Sequence, residues 1–505
     1  MNNNFSRIFS AELEGIEARL VEVETDLHVG LHAFSIVGLA DKALSEAKER
    51  VCSALKNSGV KPPNKENKKI VVNLAPADLK KNGSQYDLAI AVGYLLATKQ
   101  IKEFPAEDKM FVGELALDGS LRSINGALNT TLLCKKLKFK TIFVPQSNAE
   151  EAAIVNEVEV IPIKNLSQLI SHLENKKEIA SQPYIQYSPN STDNLIDFSE
   201  IKGQENAKRA LMIAAAGGHN VLMVGSPGGG KTMLAKALIS LLPTLSEKEL
   251  IEVIQIYSAT GLQKELIIGS RPFRAPHHSA SMPAVIGGGA HPRPGEISLA
   301  HRGILFLDEL PEFHRDLLES LRQPLENREV LISRVKNNLY FPANFIFIAA
   351  MNPCPCGYYN DDQKECICTA NSILQYQKKI SGPLLDRIDI QINIPRVELN
   401  ELRSKNSEKT SALFKEKVIK ARLKQSQRFQ SLINSEMTSK QCDQLIQLSK
   451  EAEKFLETVF KKSLVSARGY YRVLKVAQTI ADLDDSKIVE ERHLSEAFSY
   501  RLREK

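Results

Sequence analysis

The sequence contains no uninterrupted apolar run of about 18 residues, the length that a membrane-spanning helix requires. Its first residues, Met1-Asn-Asn-Asn-Phe-Ser-Arg7, lack the apolar core of a secretory signal. It also lacks a strong charge bias, because a net charge of +6 over 505 residues permits nucleic-acid binding at local basic surfaces without indicating it. Internal repeats and low-complexity tracts are absent too. We therefore expect a soluble, cytoplasmic, multidomain protein with no membrane partner.

Cysteine is scarce, with seven residues in the chain. Three stand alone and are predicted to be reduced thiols of a reducing compartment: Cys52, Cys134 and Cys442. The other four form two CxC pairs, which could place four thiolates tetrahedrally around Zn²⁺: Cys354, Cys356, Cys366 and Cys368. The alternative is a hairpin whose cysteines stay free thiols.

The length predicts about three domains. Residues 1–175 alternate strands and helices, with a β-prone run at 70–74, a helical pattern at 87–96 and a further strand at 141–144. The other predicted parts are a polar, turn-rich linker at 176–198, a nucleotide-binding α/β core at 199–395 and a helical domain at 396–505.

A phosphate-binding loop is the most specific motif. The apolar run Val221–Val224 is followed by Gly225, Ser226, Pro227, Gly228, Gly229, Gly230, Lys231 and Thr232, which fit GxxxxGK[ST], and then by a helical pattern. Glycines let backbone N–H groups turn toward phosphate oxygens, while Lys231 supplies a positive charge and Thr232 a hydroxyl ligand for Mg²⁺. A chance match is the alternative, but the strand and helix context favours an ATP and Mg²⁺ site.

A second motif supports the same chemistry. Residues 304–307 are an apolar run that ends in Asp308 and Glu309, as a buried parallel strand would present them at its carboxyl end. In such a Walker B motif Asp308 would hold Mg²⁺ and Glu309 would act as the general base toward water. A surface acidic pair is the alternative, and the phosphate loop makes it unconvincing.

Four further segments carry a resemblance to a known family. They are Ile201-Lys-Gly-Gln-Glu-Asn-Ala-Lys-Arg-Ala-Leu211, Phe273-Arg-Ala-Pro-His-His-Ser-Ala-Ser281, Pro294-Gly-Glu-Ile-Ser-Leu-Ala-His-Arg-Gly303 and Met351-Asn-Pro-Cys-Pro-Cys-Gly357. Together they resemble the magnesium-chelatase-like AAA+ ATPases called YifB or ComM, over essentially the whole chain. The resemblance implies an AAA+ core with a parallel sheet and a C-terminal helical lid. The N-terminal α/β domain resembles the Lon-protease-type domain through Val112–Arg122 and Phe143–Asn148.

The resemblance also implies roles for three residues around the nucleotide. Asn352 would be the polar sensor, Arg387 the arginine finger that reaches a neighbouring subunit, and Arg468 the second sensor of the lid. Alternatives remain open for two of them. Asn352 could simply form a turn before a proline, and Arg387 could pair with a neighbouring aspartate.

The resemblance further implies a homo-hexamer that acts on single-stranded, forked or branched DNA beside recombination proteins, promoting branch migration in natural transformation. It places a helix-two insert at 273–295 and a pre-sensor-1 hairpin from Glu329, where Arg334 and Lys336 are candidate DNA contacts. A solvated hairpin face is the alternative for these two. The competing functions are a chelatase-like or chaperone-type remodelling ATPase and, least favoured, an ATP-dependent protease.

Proteolysis is doubtful because the residues of a Lon-type dyad do not match. Ser84 lies near the position of the nucleophile, but Leu128 stands where the lysine base would be. A serine without a neighbouring base stays protonated and weak, so the N-terminal domain is predicted to scaffold a ring or contact DNA.

Overall fold

The chain folds into two units, the first formed by residues 1–188 and 250–267 and the second by 189–249 and 268–505. The structure is a computed structural model. It describes residues 4–31, 33–38, 42–65, 67–186, 196–262, 271–289, 292–333, 338–361, 363–397, 410–429, 432–462 and 466–501. Within these residues, no helix is both long and apolar enough to cross a lipid bilayer.

The first unit is built on a mixed sheet with the strand order β3-β4-β2-β1-β5-β8-β9. Its strands, with the separate short pair β6 and β7, are β1 Phe5–Glu14, β2 Glu17–Val29, β3 Ala33–Val37, β4 Lys68–Ala75, β5 Lys109–Phe111, β6 Glu114–Leu115, β7 Leu121–Arg122, β8 Thr141–Pro145 and β9 Glu159–Ile163. β1 pairs antiparallel with β2, which pairs antiparallel with β4, whereas β5, β8 and β9 run parallel to their neighbours. The strands predicted at 70–74 and 141–144 are confirmed.

The helices of the first unit cover this sheet and are Lys42–Asn57, Asp87–Ala97, Ala127–Leu137, Ala149–Ala152 and Leu166–Leu173. The predicted helix at 87–96 is confirmed and is almost wholly buried. Its first residue, Asp87, is fully buried and accepts hydrogen bonds from Arg50 Nε at 2.7 Å and Leu115 N at 3.2 Å. Burial raises the pKa of Asp87 to about 6, against the opposing effect of Arg50.

A helix from the middle of the chain also packs in the first unit. Residues 250–267, which sequence analysis assigns to the ATPase core, belong with 1–188, and they include most of the helix Glu247–Thr260. Gly126 N donates to Ser258 O at 3.0 Å, and Asn129 Nδ2 donates to Gln255 O at 3.1 Å. The helix that follows the phosphate-loop helix in the chain therefore packs largely within the N-terminal unit.

The second unit contains a parallel sheet with the order β11-β14-β17-β10-β18. Its strands are β10 Val221–Gly225, β11 Phe273–Arg274, β14 Ile304–Leu307, β17 Ile346–Met351 and β18 Ile390–Ile394, and two short ribbons pair β12 Gly287–Gly288 with β13 Arg293–Pro294 and β15 Glu329–Ser333 with β16 Asn338–Pro342. Parallel strands present their carboxyl ends at one edge, where ligands of open α/β sheets bind. The strands of the two sequence motifs, β10 and β14, flank β17.

Helices surround this sheet and continue to the end of the described chain. They are Glu205–Gly217, Lys231–Leu241, Met282–Ile286, Glu296–Leu299, Arg315–Ser320, Arg322–Asn327, Ala370–Gln377, Gly382–Leu385, Ser411–Phe429, Ser439–Leu445, Lys450–Lys462, Ala467–Leu483 and Glu491–Ser499. Ile213, Leu238, Ile348, Val418 and Ile480 belong to one buried cluster. The sheet and the C-terminal helices thus share a single apolar core, and the predicted fold class is confirmed.

Candidate nucleotide-binding site

The phosphate loop lies between β10 and the helix Lys231–Leu241, as predicted. Gly228 and Gly230 adopt positive φ angles of 81° and 82°, which glycine tolerates best, and a Cβ added at either would meet no described atom within 4 Å. Gly225 is glycine for another reason. A Cβ there would lie 2.2 Å from Ile394 O on β18, so the close approach of the two strands excludes any side chain.

Lys231 and Thr232 connect the phosphate loop by hydrogen bonds to residues at the ends of β17 and β14. Lys231 Nζ donates to Gly225 O at 2.6 Å and to Asn352 Oδ1 at 3.2 Å, and Thr232 Oγ1 donates to Asp308 Oδ2 at 2.9 Å. Burial lowers the pKa of Lys231, and the carboxylates of Asp308 and Glu309 oppose this effect. A hydroxyl and a carboxylate are hard oxygen ligands, so this pair suits Mg²⁺.

Glu309 follows β14 with a positive φ of 52°, which turns its side chain out of the strand direction. Its carboxylate is 57% exposed and lies beside a cavity of about 440 Å³ that Asn352 also lines. His278 Nδ1 lies 3.5 Å from Glu309 Oε2, and the His278 ring packs edge-on against Phe313. Sequence analysis did not predict this contact, because His278 and Glu309 stand in separate motifs of the chain.

Asn352 follows the last residue of β17, directly beside the phosphate loop. Because β17 lies between β10 and β14 in the sheet, its carboxyl end lies between the phosphate loop that follows β10 and Asp308, which follows β14. The hydrogen bond to Lys231 Nζ gives Asn352 a polar partner at the position predicted for a sensor. The proposed sensor residue, the Walker B carboxylates and the phosphate loop therefore meet at one edge.

Arg387 and Arg468 lie together around Glu326, in a group separate from the phosphate-loop residues described above. Arg387 Nη2 donates to Glu326 Oε2, and Arg468 Nη2 lies 3.6 Å from Glu326 Oε1. Arg387 Nη1 also donates to Pro383 O at 2.8 Å. The ion pair of Arg387 is therefore with Glu326, on the helix Arg322–Asn327, and not with the adjacent aspartates that sequence analysis considered.

These two arginines line a second cavity of about 480 Å³. Its other cationic lining residues are Arg328, Arg472 and Lys475, and its acidic ones are Glu326, Asp389 and Glu436. The surplus of cations suits an anionic group. The Nε of Arg387 is buried and makes no hydrogen bond among the described residues.

The four clustered cysteines come together in space. Their sulfur atoms all lie within 4.8 Å of one another, and the separations include 3.4 Å for Cys354–Cys356, 3.7 Å for Cys354–Cys366 and 3.6 Å for Cys356–Cys366. Tetrahedral Zn²⁺ with Zn–S bonds of about 2.3 Å would hold sulfurs about 3.8 Å apart. The donor set therefore fits zinc.

Two sets of predicted residues lie apart from this geometry. Arg334 and Lys336 fall outside the described residues, between the paired strands β15 and β16. In the first unit, the Ser84 hydroxyl donates to the Glu114 carboxylate, which also pairs with Arg122 at 3.2 Å. Sequence analysis found no base beside Ser84 because Glu114 is thirty residues further along the chain.

Comparisons with known proteins agree with this geometry. The family described as "Magnesium chelatase, subunit ChlI" matches residues 197–402, "Subunit ChlI of Mg-chelatase" matches 23–148, and the ChlI C-terminal family matches 408–501. Competence protein ComM of Haemophilus influenzae is 42% identical over 98% of this chain and 97% of its own length. For YifB of Escherichia coli the identity is 41%, over 96% of this chain and 95% of that protein.

A more distant similarity concerns a protease. Lon protease 2 of Bacillus subtilis is 26% identical over 31% of this chain and 33% of its own length. The full-length matches confirm the resemblance that the sequence motifs carry, whereas the Lon match covers only a part of either protein. The chain is thus a member of the magnesium-chelatase-like AAA+ ATPase family that includes ComM and YifB.

Proposed function

We propose that this chain is the subunit of a hexameric, ATP-hydrolysing motor that moves branched DNA, promoting integration of incoming single strands during natural transformation. The observation that carries the proposal is the division of the catalytic groups. The phosphate loop, Walker B carboxylates and Asn352 meet at one sheet edge, while Arg387 and Arg468 line a separate cavity. A site divided in this way would be completed by a neighbouring subunit.

Within one subunit, each group has a defined task. The glycine-rich backbone and Lys231 would bind the triphosphate, and Thr232 with Asp308 would hold Mg²⁺, which supplies charge neutralisation at the phosphates. Glu309 would accept a proton from the attacking water, and Asn352 would orient that water beside Lys231. The exposure of Glu309 leaves its carboxylate accessible to water.

Between subunits, Arg387 would enter the site of its neighbour and stabilise the charge that develops on the transferred phosphoryl group. Arg468 would act from the same surface, since both arginines share the Glu326 carboxylate. Hydrolysis would then depend on assembly. This dependence is the property expected of a ring in which each subunit reports its nucleotide state to the next.

DNA would contact loops that project from the ATPase core, with Arg334 and Lys336 as candidate phosphate contacts at the hairpin of β15 and β16. The name of the relative ComM, a competence protein, agrees with a task in DNA uptake. The N-terminal unit would serve as a scaffold without proteolysis. The four cysteines would hold a structural zinc.

The test is the ATPase rate of the purified chain with and without single-stranded and forked DNA, together with its mass by light scattering. Stimulation by DNA with a mass of six chains supports the proposal. A rate that no DNA changes would favour a chelatase-like or chaperone-type remodelling ATPase, to which the chelatase family matches also point. Degradation of casein in the presence of ATP would instead indicate a protease.

A further inference from the structure

The four cysteines lie in a segment that leads directly away from Asn352. We call residues 353–361 and 363–368 the cysteine segment. Cys354 stands two residues after Asn352, whose side chain accepts the hydrogen bond from Lys231 Nζ at 3.2 Å. Anchoring Cys354 therefore restricts the backbone that carries a partner of the phosphate-loop lysine.

The cysteine segment also contacts the phosphate loop itself. The Ser226 side chain lies beside the Asp361 carboxylate and is the main cause that lowers the pKa of that carboxyl. At Gly357, which has a φ of 87°, an added Cβ would lie 2.7 Å from Pro227 Cδ, so the backbone of the segment abuts the loop. Two consecutive loop residues, Ser226 and Pro227, thus rest against the segment.

Asp361 connects these contacts to the body of the second unit. Its side chain is 3% exposed, and its Oδ2 lies 3.0 Å from Arg396 Nε. The backbone N–H groups of Gln363 and Lys364 donate to its Oδ1 at 3.0 and 3.1 Å. Two backbone hydrogen bonds and the charge of Arg396 restrict the position of this carboxylate, and it restricts Ser226 beside it in turn.

The same network reaches the sulfur atoms. The Arg396 guanidinium lies 5.2 Å from the ring centroid of Tyr358, and Lys364 Nζ lies 4.2 Å from it. The backbone N–H of Tyr358 hydrogen-bonds with Cys356. Partners of this kind around a metal site commonly orient its ligands. A continuous path of contacts therefore runs from the thiols through Tyr358, Arg396 and Asp361 to Ser226.

We propose that a metal ion held by the four thiolates sets the position of the phosphate loop, with Asp361 as the positioning residue, and thereby controls the affinity for the nucleoside triphosphate. The inference rests on the nucleotide and zinc sites of the proposed function but not on DNA. Without the metal, four uncoordinated thiols would let the segment move, and Ser226, Pro227 and Asn352 would lose their fixed support.

Zinc content and nucleotide affinity test the inference directly. Zinc is measured by plasma mass spectrometry, and affinity by titration with a fluorescent ATP analogue in fixed Mg²⁺, without DNA. Cys366→Ser should lose zinc and bind the analogue about tenfold more weakly, the loss expected when a charge-assisted contact is disrupted. The parent chain stripped with a zinc-selective chelator should match it. A zinc-free variant with parental affinity would overturn the proposal, as would a parent chain purified without zinc.

Substitutions of Asp361 distinguish the binding of the metal from the effect of the metal on the phosphate loop. Asp361→Ala should keep its zinc yet bind the analogue about tenfold more weakly, and Asp361→Asn, which keeps an acceptor for Ser226, should recover part of the affinity. Adding Cys366→Ser to Asp361→Ala should cause little further loss, because both changes act through one path. Full affinity in Asp361→Ala, or full additivity in the double variant, would contradict this.

A matched control accounts for general destabilisation. Asp482 is also a buried carboxylate paired with an arginine, at 2.6 Å from Arg428, but it lies in the C-terminal helices. Asp482→Asn should lower the unfolding temperature while leaving analogue affinity at the parental value. If Asp482→Asn weakens nucleotide binding as much as Asp361→Ala, the specific coupling is refuted. If the chain shows this coupling but DNA does not change its ATPase rate, the inference stands and the proposed DNA motor function is refuted.

Discussion

At the scale of single residues, the site is defined by which carboxylate can meet water. Asp308 is engaged by the Thr232 hydroxyl at 2.9 Å, and its Oδ1 accepts the Glu309 backbone N–H at 2.9 Å. Glu309 extends its own carboxylate toward solvent, with His278 at 3.5 Å. This geometry supports the different tasks proposed for the two acidic residues, metal binding for Asp308 and proton transfer for Glu309.

Replacing Glu309 with glutamine should stop turnover without weakening nucleotide binding. The amide keeps the size of the side chain but cannot accept the proton of water, so the ATPase rate should fall about 10²–10⁴-fold. Steady-state hydrolysis and titration with an ATP analogue measure the two effects. The control is Glu319→Gln, which removes a carboxylate that pairs with Arg322 on the next helix. Normal hydrolysis by Glu309→Gln would refute the base assignment.

Replacing Arg387 with alanine should reduce hydrolysis about a thousandfold or more, because an arginine finger stabilises transition-state charge. Nucleotide affinity should change little, since the groups gathered around Lys231 remain. The same rate and affinity measurements apply. The control is Arg492→Ala, which removes an exposed arginine that pairs with Glu490. Unchanged turnover in Arg387→Ala would reduce this residue to a structural partner of Glu326.

The sequence predicts residues of the site where a motif is local. Lys231, Thr232, Asp308 and Glu309 each stand within a few residues of the strand that positions them, so strand and loop patterns suffice. Glu326 is different, because it meets Arg387 from 61 residues away. Such a partner is selected by tertiary packing, and nothing in the spacing of the chain distinguishes Glu326 from other exposed acidic residues.

At the scale of elements, the order of the strands brings the residues of the site together. β17 separates β10 from β14, so Asn352 ends between the two motifs. Apolar runs predict these strands individually, but their order depends on the crossover connections. The helix Glu247–Thr260 marks the limit of such prediction, because apolar periodicity can indicate a helix but cannot show that most of this one belongs to the N-terminal unit.

Gly225→Ala should disturb the phosphate loop through its supporting strands. The new Cβ would lie 2.2 Å from Ile394 O, so β10 and β18 must separate, at a cost of about 1–3 kcal/mol. Thermal unfolding should show a lower midpoint, and nucleotide affinity should fall with it. Gly382→Ala is the control, because its Cβ would meet no described atom within 4 Å. Equal stability of the two variants would contradict this reading of β10.

At the scale of the whole molecule, the proposed ring requires that Arg387 act on the site of another chain. Mixing Lys231→Ala with Arg387→Ala subunits tests this, since each is expected to be inactive alone. Mixed rings would contain some interfaces that join an intact phosphate loop to an intact Arg387, so part of the parental ATPase rate should return. No recovery, despite mixed complexes in native mass spectrometry, would place Arg387 in the site of its own chain.

The most direct test of the central claim is strand exchange on a synthetic three-strand branched DNA, followed by gel electrophoresis. The account predicts that the parent chain moves the branch point only when ATP is hydrolysed, and that Glu309→Gln leaves it in place. A parent chain that hydrolyses ATP at full rate in the presence of this DNA but never moves the branch would contradict the account.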